Sequence, residues 1–226
     1  MPPKRVAIVT SSTRLPRLNP TITQFVYDVL TSDPTIPTNK PSMPGDPVTI
    51  DTNPRHIVFS MLDLSKQALP LYDETVIPAT LPADDPTPHY TKAHTQAWST
   101  VVRGYDAFIF VTPQYNWSIP ASLKNALDYL YHEWKNKPAG IVTYGSHGGQ
   151  KAADHLRSVL KGLRMRVVET APGLVVRHTG LPVGGVSEEE EKVELDARDL
   201  EGWKDAGVQG MMRNLGMELV CELDKE

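Results

Sequence analysis

A doubly wound α/β fold, with a parallel sheet covered by helices on both sides, is predicted for this chain by two patterns. The first is Ala107-Phe108-Ile109-Phe110-Val111, an apolar run without polar interruption, as expected of a parallel strand buried on both faces. The second is the alternation of such runs with amphipathic helical stretches. That order implies right-handed crossovers and a sheet sandwiched between helices.

The elements follow in order. Arg5-Val6-Ala7-Ile8-Val9-Thr10 reads as the first strand. A turn rich in hydroxyl and guanidinium groups, Ser11 to Arg17, leads to a helix from about Pro20 to Leu30 with Ile22, Phe25, Val26 and Val29 on its apolar side. From Ser32 to Pro54 the chain is rich in Pro, Asp and Asn without a sustained apolar period, which predicts a loop insertion. His56 to Leu62 is a second strand, and after another Pro-rich connection Thr91 to Gly104 is a helix leading to the strand at Ala107. Pro120 suits a first helical turn, where its missing N–H costs nothing, and Leu123, Ala126, Leu127 and Leu130 line the helix that follows. Gly140 to Tyr144 is the next strand, followed by a helix with Ala152, Leu156, Val159, Leu160 and Leu163 on one face and a strand near Met165 to Glu169.

The division expected is one α/β domain over residues 1–180, carrying the Pro-rich insertion, and an acidic, helical C-terminal extension over residues 181–226. The acidic run Glu188 to Glu191 reads as a solvated helix start whose charge suits the N-terminal dipole. Val208, Met211, Met212, Leu215 and Leu219 recur at helical spacing, weakened by Gly207, Gly210 and Gly216. This is read as a terminal helix docked on the core or on a partner subunit.

Composition narrows the function classes. The chain has 226 residues, enough for one well-buried core, and no apolar run approaching the ~20 residues of a membrane span. It lacks a secretory leader and is expected to be soluble and cytoplasmic. A single cysteine, Cys221, rules out an internal disulfide and a cysteine metal cluster, and the histidines show no metal-ligand grouping, so no metal is expected. A net charge of −4 gives no broad basic field, which argues against nucleic acid.

Three loops, each at the carboxyl end of a strand, carry polar chemistry where open α/β sheets bind ligands. The first presents Ser12, Thr13, Arg14 and Arg17 beside a helix N-terminus, a natural seat for a phosphate. It has neither G-x-G-x-x-G nor G-x-x-x-x-G-K, so a monophosphate fits better than a dinucleotide. An ordinary hydroxyl-rich turn with solvent-facing arginines accounts for it equally well. The second, Gln114-Tyr115-Asn116-Trp117-Ser118, offers π-surface for a conjugated ring and amides for its polar edges; aromatics packed under a long loop are the alternative. The third, Tyr144-Gly145-Ser146-His147-Gly148-Gly149-Gln150, lets the backbone approach a ligand closely and aim N–H groups at developing negative charge. His147 is read as a hydrogen-bonding wall in preference to an acid or base.

Together these loops, with Leu69-Pro70-Leu71-Tyr72-Asp73-Glu74 and Leu130-Tyr131-His132-Glu133-Trp134, resemble the NADPH-dependent FMN reductase family of the flavodoxin-like superfamily, especially its fungal and plant-type quinone reductases. The resemblance spans about Val6 to Val168. It implies a flavodoxin-like five-stranded parallel sheet of order 2-1-3-4-5 and FMN as cofactor. Ser12, Arg14 and Arg17 would hold the FMN phosphate, and Gln114, Tyr115, Asn116 and Trp117 would line the isoalloxazine. Tyr144, Ser146, His147, Gly148 and Gly149 would close over the pyrimidine edge. It also implies an NAD(P)H oxidoreductase that passes electrons to quinones, free flavin or other small acceptors, working as a homodimer or dimer of dimers. The chain departs from the family at Ser11, where Gly is common, at Gln114, where many members have Glu, and at Tyr129, often Trp or Arg. A second class, a flavodoxin-like electron carrier or flavin-binding redox sensor acting on a protein partner, would use the same cofactor without enzymatic turnover.

Overall fold

A computed structural model of the chain describes residues 2–38, 57–178 and 193–225. Its regular elements are β1 (Lys4–Thr10), α1 (Asn19–Ser32), β2 (Ile57–Asp63), α2 (Ala93–Arg103), β3 (Ala107–Pro113) and α3 (Ala121–Asp128). They continue as β4 (Pro138–Gly145), α4 (Gln150–Gly162), β5 (Arg166–Val167), β6 (Gly173–Val175), α5 (Ala197–Asp205) and α6 (Val208–Leu223). The sheet runs β2-β1-β3-β4-β5, parallel at every pairing, the expected flavodoxin-like order.

The fifth position differs from the single strand expected there. It is filled in two pieces, β5 beside Pro138 and Ala139 and β6 beside Thr143 to Gly145, so the sheet has six strands. Competing hydrogen bonds explain the gap. Arg157 of α4 donates to the carbonyls of Val168 (2.7 Å) and Glu169 (2.8 Å), and Glu218 of α6 accepts from the Thr170 N–H at 2.9 Å. Those groups are lost to the β4 ladder, which resumes when the Thr143 N–H reaches the Pro172 carbonyl.

Period-two alternation divides the central strands between two cores. Val6, Ile8, Ala107, Ile109, Val111 and Val142 face α1 and α6; Ala7, Val9, Phe108, Phe110, Ala139 and Ile141 face the side packed by α2, α3 and α4. The terminal helix therefore docks on the core of its own chain. Met212, Leu215 and Leu219 of α6 are buried with Ile22, Val26 and Leu30 of α1. Gly216 marks the closest approach: a Cβ there would lie 2.5 Å from Ile36 Cδ1 and 3.0 Å from Leu30 Cδ2. The glycine that lowers helix propensity is what lets α6 pack closely on the end of α1 and on Ile36. Asp33, just past α1, clamps the pair by accepting from Arg213 Nε at 2.5 Å.

Of the Ser32 to Pro54 stretch, Ile36 enters the core and Thr38 bridges to Ile57, while residues 39–54 lie outside the described residues, as does the acidic run Glu188 to Glu191. No helix among the described residues is long and apolar enough to cross a membrane.

Two substitutions test the seating of the C-terminal helices. Leu215→Ala, which empties a fully buried site, should lower unfolding free energy in urea by about 2–5 kcal/mol. Gly202→Ala, at a position in α5 with open space around its Cα, should raise it by about 0.5–1 kcal/mol.

Candidate functional site

The carboxyl ends of β1, β3, β4 and β6 open into a cleft of about 190 Å³. The first loop contributes Arg14, Pro16, Arg17 and Leu18, the second Pro113, Gln114 and Tyr115, the third Tyr144, Gly145 and Ser146, and the end of β6 adds Val176. A roomier hollow of about 530 Å³ lies against α6 beside Glu218 and Cys221, but no residue of the three loops reaches it.

The first loop is shaped by a buried ion pair. Arg17 donates to both carboxylate oxygens of Asp63 at the end of β2 (2.8 and 2.7 Å), to Ser65 Oγ (2.9 Å) and to the Ser12 carbonyl (2.9 Å). Burial alone would raise the Asp63 carboxyl; the bonds from Arg17 and Ser65 outweigh it and hold the group below its ordinary value. Ser12 is fully buried behind the cleft, its N–H donating to Asn19 Oδ1 (2.7 Å) and its hydroxyl meeting Tyr115 Oη (2.8 Å). Arg14 differs: it is exposed, its guanidinium lies 6.0 Å from the Tyr115 ring centroid, and it makes no ion pair among the described residues. The α1 N-terminus beside it has no side-chain cap. Ser11, where the chain departs from the family, has a buried hydroxyl without a partner among the described residues, and its carbonyl accepts from Ser122 Oγ at 2.8 Å.

The second loop is a two-residue hairpin. Tyr115 and Ser118 exchange backbone bonds of 2.8 and 2.9 Å around Asn116 (φ 46°) and Trp117 (φ 68°). Two positive φ values in succession define a type I′ turn, tolerable for Asn but strained for Trp. This geometry throws Asn116 and Trp117 outward, off the cleft walls, and leaves Trp117 72 % exposed. Gln114 stays inside. Its N–H donates to the Tyr144 carbonyl (2.9 Å), and its Oε1 accepts from Lys151 N (3.0 Å) and Ala152 N (3.3 Å), capping α4, whose Gly149 N-cap has no side chain to do so.

In the third loop the glycines serve packing. Gly148 (φ 78°) and Gly149 (φ 81°) are buried, and a Cβ on Gly149 would sit 2.9 Å from Thr143 Cβ. Ser146 and His147 are exposed at the rim and bond to each other, Oγ to Nδ1, at 3.0 Å. The Tyr144 phenol is pushed well above its ordinary value by burial and by Tyr115, against the pull of Arg14 and Arg17.

Of the residues singled out in the sequence, Arg14, Arg17, Gln114, Tyr115, Tyr144 and Ser146 thus share one cleft. Ser12, Gly148 and Gly149 stand behind its walls, and Asn116, Trp117 and His147 stand outside or on its rim. Asp63, Leu18 and Val176 escaped the sequence reading. A charged residue ending a strand pointed to Asp63, and the short run Leu174-Val175-Val176 after Pro172-Gly173 pointed to β6.

The loop after β2 borders the same end of the sheet. Asn125 of α3 anchors it, accepting from the Tyr72 N–H and donating to the Pro70 carbonyl, and this leaves Leu71 84 % and Ile77 67 % exposed.

A family model described as NADPH-dependent FMN reductase matches residues 4–176. An NAD(P)H-dependent FMN reductase of Saccharomyces cerevisiae is 39% identical over 184 residues, covering 80% of this chain and 83% of that protein. A probable NADPH:quinone oxidoreductase of Oryza sativa is 44% identical over 68 residues, 28% of this chain and 34% of that protein. Among solved structures, the flavoenzyme NAD(P)H:(acceptor) oxidoreductase FerB of Paracoccus denitrificans superposes with a TM-score of 0.57 at 19% identity, covering 98% of both chains.

The Arg17–Asp63 pair has a defined pH signature. Because the folded carboxyl lies below its unfolded value, its stabilisation is complete above the ordinary Asp pKa of about 3.9 and is lost as pH falls through the lower folded value. Asp63→Asn should lower stability by about 1–3 kcal/mol at pH 7, the pair being only partly buried. In urea titrations that deficit should shrink as the pH is taken below about 4.

Proposed function

The chain belongs to the NADPH-dependent FMN reductase family, and from that premise we propose that it is an FMN-dependent NAD(P)H oxidoreductase delivering electrons to quinones, free flavin or similar small acceptors. The observation that carries this reading is the cleft itself, with an arginine that makes no ion pair among the described residues and a helix N-terminus without a side-chain cap at one end and tyrosine walls at the other. That donor set fits FMN, an anion joined to a flat ring, better than it fits a dinucleotide.

Arg14 and the first N–H groups of α1 would take the phosphate charge. Arg17 supports this role indirectly. Held by Asp63, it pulls the Ser12 carbonyl inward and fixes the turn that presents Arg14. Tyr115 and Tyr144, with Leu18 and Val176, would wall the ring and keep water from it. Gln114 would address a polar ring edge while its Oε1 stays on α4. The Ser146 and His147 N–H groups, which have no partner among the described residues, would face the ring edge where reduction places negative charge. When bound, FMN supplies the redox chemistry, taking a hydride from the nicotinamide and passing two electrons on. No side chain has to supply a proton for that exchange, so no catalytic acid is assigned.

We further propose that the protein acts in the cytoplasm as a homodimer. The exposed thiol of Cys221 suits a reducing compartment. Leu71 and Ile77, exposed on the loop after β2, offer an apolar surface that a second copy would cover.

The purified protein should carry flavin absorption equal to one FMN per chain, and anaerobic NADPH should bleach it rapidly. Slow bleaching would instead favour an electron carrier. Steady-state kinetics with NADPH and a quinone should give parallel double-reciprocal lines, and intersecting lines would count against one shared site. Arg14→Ala should weaken FMN binding by about 10- to 100-fold while leaving riboflavin, which lacks the phosphate, within about twofold.

A further inference from the structure

We infer that Trp117 and Lys151 form a docking point for the adenylate half of the nicotinamide dinucleotide, an inference that rests on the NAD(P)H oxidation proposed above. Trp117 is anomalous on three counts. It is 72 % exposed, its φ of 68° is one that a bulky side chain adopts at a cost, and it stands just outside the cleft. Backbone strain of this kind persists only where the surroundings hold it.

Three links hold it here, all running to the first turns of α4. Gln114 Oε1 accepts from the Lys151 N–H at 3.0 Å, Ser118 Oγ bonds to His155 Nδ1, and Lys151 Nζ lies 5.8 Å from the Trp117 ring centroid. The backbones that carry the indole and the ammonium are therefore tied to each other through Gln114, which lines the cleft, and the two groups lie side by side. The charges nearby leave Lys151 available. Asp154, one turn on, accepts from Gln150 Nε2 at 2.8 Å, and Lys151 makes no ion pair among the described residues.

A flat, solvent-facing indole beside a cation without a carboxylate partner matches the chemistry of a purine joined to phosphate. The ring stacks on the indole and the ammonium meets the phosphoryl oxygens. A nicotinamide placed in the cleft leaves the other half of its dinucleotide to run outward across the rim, toward this pair. Anchoring both backbones on the first turns of α4 spares the backbone part of the ordering cost on binding.

The test uses the full FMN-loaded chain and three variants: Lys151→Gln, Trp117→Gly and the control Lys124→Gln, a lysine of α3 already paired with Asp128. Glycine accepts the positive φ, so Trp117→Gly should fold at least as stably as the parent. Lys151→Gln and Trp117→Gly should each raise KM for NADPH about tenfold, with KM for reduced nicotinamide mononucleotide, which lacks the adenylate, within about twofold. Lys124→Gln should change neither. A rise confined to NADPH, with NADH unaffected, would place the 2′-phosphate on Lys151; equal rises for both would place the pyrophosphate there.

Dinucleotide KM values within about twofold of the parent in both variants, or an equal rise with the mononucleotide, would overturn the docking point. A second readout does not depend on turnover. Adenosine 2′,5′-bisphosphate should quench tryptophan fluorescence of the parent, with the quench lost in Trp117→Gly and needing about tenfold more ligand in Lys151→Gln. No quench in the parent would overturn the inference. A parent that binds this probe yet does not oxidise NADPH would instead sink the proposed activity.

Discussion

Covering the sheet on both faces is the constraint on which the rest of this molecule depends. Phe108, Ile109, Phe110 and Val111 of β3 are all essentially inaccessible to water, as are Ala139, Ile141 and Val142 of β4. Nothing polar can be placed along those strands without a large desolvation cost. Polar groups can gather only where the strands end, and because all the strands run in parallel their carboxyl ends lie together. The cleft is a consequence of that arrangement before any particular side chain is chosen.

What converts converging loops into a defined site is the set of ties between them. Asn19 joins the Ser12 N–H to the Val111 carbonyl and so links the first loop to β3. The Ser12 and Tyr115 hydroxyls join the first loop to the second, and Gln114 joins the second to α4. Arg17 and Asp63 bring in β2 from the far side. Each tie satisfies a polar group that would otherwise be unpaired near the core, so stability and preorganisation come from the same bonds. Among the described residues, the Arg14 and Lys151 side chains make no ion pair and the Ser146 and His147 amides no hydrogen bond, and all four residues are exposed.

The C-terminal helices show the same economy on the opposite side of the fold. Leu215 and Leu219 complete the core that α1 begins, and Gly216 admits Ile36 and Leu30 to within side-chain contact of the helix backbone. Glu218 of the same helix, together with Arg157 of α4, holds the chain between β5 and β6 off the sheet. Beyond that break, β6 pairs with β4 and carries Val176 to the cleft wall, its N–H donating to the Gly145 carbonyl.

Local chemistry was enough to determine the class of fold, the register of strands with helices and the three loops that matter. Apolar runs, helical periodicity and turn residues are properties of short stretches. The aromatic-amide loop and the glycine loop could be picked out in the same way. Side-chain direction could not be. Only the tertiary structure decided that Arg17 turns inward to Asp63 while Arg14 stays exposed beside the Tyr115 ring, because that choice depends on a carboxylate 46 residues away. The seating of the hairpin that carries Trp117 likewise depends on α4, 37 residues on, through the Ser118–His155 and Gln114–Lys151 bonds. So does the two-piece fifth strand, whose carbonyls are claimed by Arg157. A residue's type announces what chemistry it can offer; which partner takes up that offer is settled by long-range contacts, and those exist only once the chain has folded.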